Sequence, residues 1–168
     1  MSESIVERDI IIEHLERFRG VTLQTLDLVP DDQLNWKPVE GMRSFAEGFL
    51  HIAQVEEFYC SGIFGGAWSF EVMQMPDIPL TKDLLKLRLS QSRSGTLANL
   101  RKIDLPALDE IVSVPHIPTQ WPAKSWLWYL VEHEVHHKAQ LALYLRLIEA
   151  VPPFFAFVLP QGVRPDVR

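Results

Sequence analysis

The segment VEHEVHHKAQ, residues 131–140, contains three of the six histidines in the chain. His133 and His137 are four residues apart, so on an α-helix their side chains lie one turn apart on the same face. A neutral imidazole is the commonest metal ligand among protein side chains. The spacing therefore predicts a pair of metal ligands, provided that the segment is helical and that this face points inward.

Helical phase separates the three histidines. At about 100° per residue, Trp126 and Tyr144 lie about 20° from His133, so the centre of the predicted apolar stripe is close to His133. His137 lies about 40° to one side, within the stripe, whereas His136 lies about 60° to the other side, at the helix flank. Two buried imidazoles without partners are costly to desolvate, and a shared divalent metal ion offsets that cost. We therefore expect His133 and His137 to bind a metal and His136 not to.

The letters HEVHH also fit the metalloprotease motif H-E-x-x-H, in which Glu134 would be the general base. The longer form of that motif needs glycine at position 140 and histidine at position 143, where this chain has Gln140 and Leu143. Glu134 lies about 100° from His133, which predicts a solvated charge at the helix flank. Gln140, one turn past His137, could hydrogen-bond a ligand imidazole or a metal-bound water, or it could cap a neighbouring helix.

A second helix offers the third ligand that a catalytic zinc-type site requires. His51 lies within SFAEGFLHIAQVEEF, where Gly48, Val55 and Phe58 share its helical face, so this histidine is expected to point inward. Helix bundles commonly build metal sites from side chains on facing helices. The sequence thus predicts a site of three histidines, which suits zinc, nickel, copper or iron.

The cysteine and the other histidines are not among the predicted ligands, although His14 could help to line a pocket beside the site. Cys60 is nine residues after His51, which places it about 180° away on the same helix. His14 is expected to be a surface or boundary residue, and His116 lies in a proline-rich loop that has no helical phase. None of these three is predicted to bind the metal.

Four segments with helical periodicity position the candidate ligands, at about residues 4–28, 44–66, 81–106 and 123–150. Ser44 with Glu47 three residues later is a capping box for the second helix, and Thr81 is the N-cap of the third. The predicted inward positions of the third helix are Leu84, Leu87 or Arg88, Gln91 and Leu97. The fold is predicted to be all-α, a single four-helix-bundle domain over residues 1–168 with a proline-rich C-terminal tail.

Composition limits the classes of partner. With 168 residues, 47% of them hydrophobic, the chain can bury a full core without disulfides, and its single cysteine is compatible with a reducing cytoplasm. A net charge of -6 argues against nucleic acid, which is bound by clustered lysines and arginines. No apolar run approaches the roughly 20 residues that span a bilayer. We expect a cytoplasmic protein with a small-molecule or protein partner.

Two segments together resemble the DinB/YfiT-like superfamily of metal-dependent four-helix-bundle proteins: LNWKPVEGMRSFAEGFLHI, residues 34–52, and HEVHHKAQ, residues 133–140. In that family a tryptophan-proline turn precedes the helix with the first ligand, and a late H-x-x-x-H carries the other two. The resemblance implies an up-down-down-up bundle with the metal on His51, His133 and His137. Lys138 and Ala139 stand where arginine and glycine are more usual in the family.

The resemblance also implies a function. Members include S-transferases that use low-molecular-weight thiols, so this chain is expected to bind one divalent ion, zinc or nickel, and to conjugate such a thiol to a small-molecule substrate. A metal-dependent hydrolase is one alternative. A non-enzymatic metal-binding or stress-associated protein is the other. The sequence assigns no catalytic residue beyond the metal ligands.

The C-terminal segment PPFFAFVLPQGVRPDVR suggests assembly. Its apolar run consists of Phe154, Phe155, Phe157, Val158 and Leu159. Such a run would form a large exposed patch on a monomer, so it is expected either to fold back over the bundle or to cover a second copy. Because symmetric dimers are the commonest oligomers and members of the resembled family are often dimeric, we predict a homodimer.

Overall fold

The computed structural model describes residues 3–153. Its helices are α1 (Glu3–Leu28), α2 (Phe45–Gly65), α3 (Lys82–Lys102) and α4 (Ala123–Leu147). These bounds confirm the four predicted helices. The apolar run at residues 154–159 lies outside the described residues.

Side chains and one glycine define the ends of the helices as the sequence predicts. Ser44 Oγ accepts from the amide of Glu47 at 3.2 Å, and the Glu47 carboxylate accepts from the amide of Ser44 at 2.7 Å, which completes the capping box. Thr81 Oγ1 accepts from the amide of Leu84 at 3.3 Å at the start of α3. Gly66 ends α2 with a φ of 67°, a left-handed conformation that glycine adopts without a steric penalty.

The order of contacts between helices gives their directions. The residue numbers of contacting residues increase together along α1 and α4, and also along α2 and α3. The two helices in each case are therefore parallel. The contacts are Glu7–Lys124 and Arg19–Glu134 for α1 and α4, and Glu57–Arg88 and Cys60–Thr96 for α2 and α3. The pairs Glu16–Arg101 and Asp27–Lys86 show that α1 runs opposite to α3. The fold is therefore the up-down-down-up bundle that the resemblance implies.

A short β-hairpin leads into α4. Strand β1 (Ile111–Ser113) pairs antiparallel with β2 (Gln120–Pro122), with Val112 opposite Trp121. Trp126 Nε1 donates to the carbonyl of Val112 at 3.0 Å, and the amide of Ala123 donates to the carbonyl of Glu110 at 2.9 Å. The hairpin thus anchors the first turn of the helix that carries two of the candidate ligands.

Two apolar clusters fill the described part of the bundle, one near each end. One includes Leu15, Phe58, Leu100, Leu127 and Leu130. The other includes Leu26, Phe49, Leu85, Leu89 and Leu145. Between the clusters lies a buried layer of charged side chains contributed by all four helices. Among the helices described, none is long and apolar enough to cross a membrane.

The predicted inward face of α3 is wrong in its phase over the first half of the helix, whereas Leu97 is buried as predicted. Leu87 is 51% exposed and Gln91 is also exposed, whereas Leu85, Leu89 and Leu100 are buried. The cause is the buried Arg93, which turns a charged residue inward because carboxylates from α2 and α4 meet it there. A buried face predicted from apolar residues alone leaves out position 93, because arginine is expected to be exposed.

Candidate metal centre

Three imidazoles from two helices meet at one point. His51 on α2 and His133 and His137 on α4 offer nitrogen atoms that all lie within 4.8 Å of one another, and all three residues are partly buried. The Nε2 atoms of His51 and His133 are 3.2 Å apart. The structure therefore brings together the three histidines chosen from the sequence, and His136 is exposed outside the group.

A glycine lets the two ligand-bearing helices approach. The Cβ atom of any other residue at position 48 would lie 2.9 Å from Cδ2 of Leu141, a buried side chain of α4. Gly48 lies one turn before His51, and Leu141 lies one turn after His137. Because residue 48 is glycine, α2 and α4 can pack closely beside the three imidazoles.

The rotation of α4 differs from the prediction. Its buried face is centred about 100° from His133, at Glu134, and His133 itself lies at the edge of that face. The prediction centred the stripe on Trp126 and Tyr144, which are both buried but lie about 80° from the observed centre of the buried face. His133 and His137 still face the α2 side of the bundle, where His51 meets them.

The prediction that Glu134 is a solvated flank charge is wrong, because its side chain is only 2% exposed. Its carboxylate accepts from Arg19 Nε at 2.9 Å, from Thr22 Oγ1 at 2.7 Å and from Arg93 Nη2. Burial by itself would raise the pKa of Glu134, but the two guanidinium groups lower it to about 2. With its oxygens held by these donors, Glu134 is not available as the general base of an H-E-x-x-H protease.

The imidazoles are neutral at physiological pH. Burial, assisted by the neighbouring Arg43 charge, lowers the pKa of His51 to about 4. Burial and the adjacent His137 lower the pKa of His133 to about 3, and burial lowers the pKa of His137 as well. Neutral imidazoles have the nitrogen lone pair that a metal ligand needs, so the folded protein holds this group in its metal-binding form.

Gln140 orients one of the three rings. Its Oε1 lies 3.0 Å from Nδ1 of His137, and since an amide oxygen only accepts, Nδ1 carries the proton. That tautomer leaves Nε2 of His137 as the atom available to a metal. The Gln140 Nε2 group donates to His136 Nε2 at 3.0 Å. Gln140 is thus hydrogen-bonded to one of the three grouped imidazoles, which is one of the two roles that the sequence left open.

One spacing within the histidine group matches the distance between two ligands of a tetrahedral ion. Nitrogen ligands about 2.0–2.1 Å from a tetrahedral metal lie about 3.3 Å from one another. The observed 3.2 Å between Nε2 atoms of His51 and His133 agrees with that edge. Over residues 3–153 no fourth histidine, cysteine or carboxylate joins the group. The donor set therefore suits a zinc-type site with a position left for a non-protein ligand.

A cleft of about 650 Å³ opens beside the imidazoles and has His51 and His137 in its wall. Its other walls come from the segment that precedes α2, from Met73 and Met75, and from Tyr144 at the far end of α4. Two cations, Lys37 and Arg43, lie on the segment that precedes α2, beside the acidic Glu40 and Glu47. The cleft is large enough for a small molecule to reach the imidazoles.

Comparison with known proteins assigns the family. The family model of the DinB superfamily matches residues 14–141. The chain belongs to the DinB superfamily. Among its relatives is YjoA of Bacillus subtilis, which is 27% identical over 138 residues, covering 81% of this chain and 87% of YjoA. The resemblance stated from the residues is thereby confirmed.

Solved DinB-like structures share the fold. The crystal structure of YjoA matches with a TM-score of 0.68 at 26% identity, covering 86% of this chain and 96% of that one. A DinB-like protein from Bacillus cereus matches with a TM-score of 0.73 at 17% identity, covering 86% and 95% of the two chains. The second likeness, at its low identity, concerns the fold alone.

In this DinB chain, the lysine that replaces the usual arginine after the last ligand is directed away from the cleft. Lys138 is buried, and its Nζ lies 4.5 Å from the ring centre of Phe18 on α1. A cation over an aromatic ring is attracted by the negative face of the ring. Lys138 therefore contributes to the contact between α4 and α1.

Cys60, His14 and His116 lie outside the histidine group of this DinB chain, as the helical phase predicted for Cys60. Cys60 is buried with Sγ 3.0 Å from Thr96 Oγ1, and burial raises its pKa to about 12. His14 packs against the rings of Phe18 and Trp128 at the boundary of α1. His116 lies in the hairpin loop with a φ of 66°. None of the three belongs to the histidine group.

Proposed function

We propose that this DinB-superfamily protein binds one divalent metal ion, zinc or nickel, through His51, His133 and His137. The observation that carries the proposal is the convergence of three neutral imidazoles, with two Nε2 atoms 3.2 Å apart, beside an open cleft whose wall includes His51 and His137. Nitrogen ligands suit both metals. The three side chains come from two helices that pack directly, so the site needs no large rearrangement to close around an ion.

The proposed activity is transfer of a low-molecular-weight thiol to an electrophilic small molecule. A bound divalent ion would lower the pKa of a coordinated thiol and so present a thiolate to the electrophile. The sulfur forms a bond to carbon, the leaving group departs from that carbon, and the thiol proton passes to solvent. The chain supplies three ligands, an open position and a cleft of a size suited to both reactants.

The charges of the cleft support an anionic thiol such as one that carries a carboxylate. Arg43 is exposed on the cleft and forms no hydrogen bond or ion pair within residues 3–153, yet its charge acts on His51 and His137. Glu47, by contrast, is held by the amide of Ser44. Arg43 is thus the cation best placed to meet a carboxylate on a thiol bound at the imidazoles.

Hydrolysis is the less favoured chemistry for this site. A metal-dependent hydrolase commonly uses a carboxylate to accept the proton of the attacking water. Glu134, the carboxylate next to His133 in sequence, is buried among Arg19, Arg93 and Thr22. A thiol coordinated to a bound divalent ion would need no such base, because the ion would lower the pKa of the thiol.

Metal analysis of untagged protein tests the proposal. We expect about one equivalent of metal in the wild-type chain and near-complete loss in His51→Ala, His133→Ala and His137→Ala, since a three-ligand site does not survive removal of one ligand. His136→Ala is the matched control and should keep its metal, because His136 is exposed and lies outside the histidine group, with a hydrogen bond to Gln140. Full occupancy in His137→Ala together with an empty site in His136→Ala would reject the assignment.

A conjugation assay on the same proteins tests the reaction. Loaded wild-type protein should accelerate the coupling of a carboxylated thiol to monochlorobimane, with release of chloride, and the three ligand variants should not. A loaded protein that hydrolyses esters but leaves thiols unconjugated would point to the hydrolase. A loaded protein inert in both assays would point to a non-enzymatic metal-binding protein.

We further propose that the chain forms a homodimer. Support comes from the composition of the tail and from apolar side chains exposed on the described surface, among them Ile111, Trp121 and Leu143. Sedimentation of the full chain beside a chain ending at Val151 tests both the dimer and the role of the tail. A full-length monomer at micromolar concentration contradicts the dimer, and a truncated chain that still dimerises removes the tail from the interface.

A further inference from the structure

A charge-balanced cluster lies at the centre of the bundle. Each helix contributes one residue to this ion cluster, which consists of Arg19 from α1, Glu56 from α2, Arg93 from α3 and Glu134 from α4. All four residues are at most 5% exposed. Arg19 binds both carboxylates, at 2.6 Å to Glu56 and 2.9 Å to Glu134, and Arg93 also binds both. The two cations and two anions of the ion cluster balance each other.

Hydroxyl groups complete the cluster. Thr22 Oγ1 donates to Glu134 at 2.7 Å, and Thr96 Oγ1 donates to Glu56 at 2.7 Å. Each carboxylate is thus held by two guanidinium groups and one threonine, which places its oxygens from several directions at once. Because the partners come from different helices, rotation of one helix breaks several of these bonds together.

The two carboxylates belong to the helices that carry the histidines. Glu134 follows His133 directly, and Glu56 lies five residues after His51. The two arginines come from α1 and α3, which contribute no member to the histidine group. Through the ion cluster, α1 and α3 therefore bind to α2 and α4, the two helices that carry the histidines.

We propose that the ion cluster is a positioning device for the metal centre: Arg19 and Arg93 set the rotation of α4 and α2 and thereby aim His133, His137 and His51 at one point. This inference rests on the proposed metal site. The proposal also gives a role to Glu134, the glutamate of the HEVHH segment: it positions α4 through its buried partners and does not act on a substrate.

Small rotations decide whether the site forms. A side-chain tip about 5–6 Å from a helix axis moves by about 2 Å when the helix rotates by about 20°. That displacement equals the length of a metal–nitrogen bond, about 2.0–2.1 Å. Apolar packing is non-directional and allows rotations of this size more readily than a set of hydrogen bonds does. A directional cluster is thus the feature best able to hold the imidazoles in place.

The chain offers a matched pair of variants for a test. Thr22 and Thr25 are both fully buried on α1. The hydroxyl of Thr22 reaches Glu134, whereas the hydroxyl of Thr25 donates only to the carbonyl of Val21, at 2.8 Å. Thr22→Val therefore removes a bond of the ion cluster, and Thr25→Val removes a hydroxyl of the same kind outside it. Arg93→Met is the stronger variant, with Leu100→Ala as a control for lost stability on the same helix.

The measurements are the dissociation constant of cobalt(II), the visible absorption spectrum of the bound cobalt and the unfolding midpoint of the metal-free full-length chain. Arg93→Met is expected to bind cobalt about ten- to a hundredfold more weakly and with an altered spectrum, as is usual when the support of a metal ligand is lost. Thr22→Val is expected to bind on the order of fivefold more weakly, the effect of one hydrogen bond. Thr25→Val and Leu100→Ala should bind as the wild type does while folded.

The outcomes separate positioning from simple destabilisation. Equal cobalt affinity and spectrum in Thr22→Val and the wild type would overturn the inference, whether or not Arg93→Met folds. Equal losses of affinity in Thr22→Val and Thr25→Val would also overturn it, since general destabilisation then explains both. A wild-type chain that binds no cobalt overturns the proposed metal site itself, a result distinct from either of these.

Discussion

At the scale of single residues, the proposed metal centre depends on one amide as well as on its three candidate ligands. Gln140 Oε1 accepts the Nδ1 proton of His137 and so selects the tautomer in which Nε2 is available. Without that acceptor the His137 ring can rotate and place either nitrogen toward the cleft. Partners of this kind orient ligands and affect metal affinity although they do not touch the metal.

Gln140→Leu is expected to weaken zinc binding by about ten- to a hundredfold, because a leucine of similar size fills the space without accepting the proton. Competition with a chromogenic chelator measures the affinity. His136→Ala removes the second contact of Gln140 and should leave the affinity within about twofold, since His136 lies on the exposed side. An unchanged affinity in Gln140→Leu would show that the protein does not need this tautomer.

At the scale of secondary structure, the separation of α2 and α4 decides whether ligands on two helices can share an ion. The close approach occurs at Gly48, where a Cβ atom would overlap Leu141. Leu141 is buried in the core, so its side chain has little room to move away. A residue at position 48 larger than glycine would therefore separate the helices next to the imidazoles.

Gly48→Ala should lower metal affinity by about tenfold, because an increase of a few tenths of an ångström in helix separation moves His51 away from its partners. Gly95→Ala on α3 is the matched control, since a Cβ at Gly95 meets nothing within 4 Å. The control should raise the free energy of unfolding by about 0.5–1 kcal/mol through helix propensity alone. Isothermal titration and thermal unfolding report the two effects separately. A gain of stability and unchanged affinity in Gly48→Ala would show that the crossing is not tight.

At the scale of the whole molecule, the half-buried histidines couple stability to pH. Without metal, the folded protein keeps the pKa of His51 at about 4 and that of His133 at about 3, compared with 6.5 in an unfolded chain. As pH falls below about 6.5, His51 and His133 therefore take up protons in the unfolded chain but stay neutral in the folded chain. Stability is lost progressively from pH 6.5 towards pH 4. Glu134 has a pKa of about 2 in the folded protein, compared with 4.5 in an unfolded chain, so it causes a further loss of stability only below about pH 4.5.

The expected result is a fall of the unfolding midpoint of the metal-free wild type between pH 6.5 and 5, measured with a chelator present. The double variant His51→Ala/His133→Ala should show a clearly shallower fall over the same range, because two of the groups that produce it are gone. A double variant with the same pH slope as the wild type would contradict the assignment of this slope to the metal centre.

Local patterns in the chain were enough to predict the four helices, the caps at Ser44 and Thr81, and the three histidines that meet. These features depend on information within a few residues: a capping box spans four positions, and a pair of ligands at i and i+4 shares a face of any α-helix. His51 joined the pair because its own helical face is small or apolar, which indicates its direction without any knowledge of the partner helix.

Which charged residues are buried, and with which partners, becomes visible only in the folded bundle. Glu134 is separated by 115 residues from Arg19 and by 41 residues from Arg93, and no local pattern indicates that they meet. A charged residue without a known partner is predicted to be solvated, because burying it alone is costly. The same reason explains why the buried face of α3 was misplaced around Arg93. Burial of a charge depends on partners from other helices, and those partners are brought together only when the bundle folds.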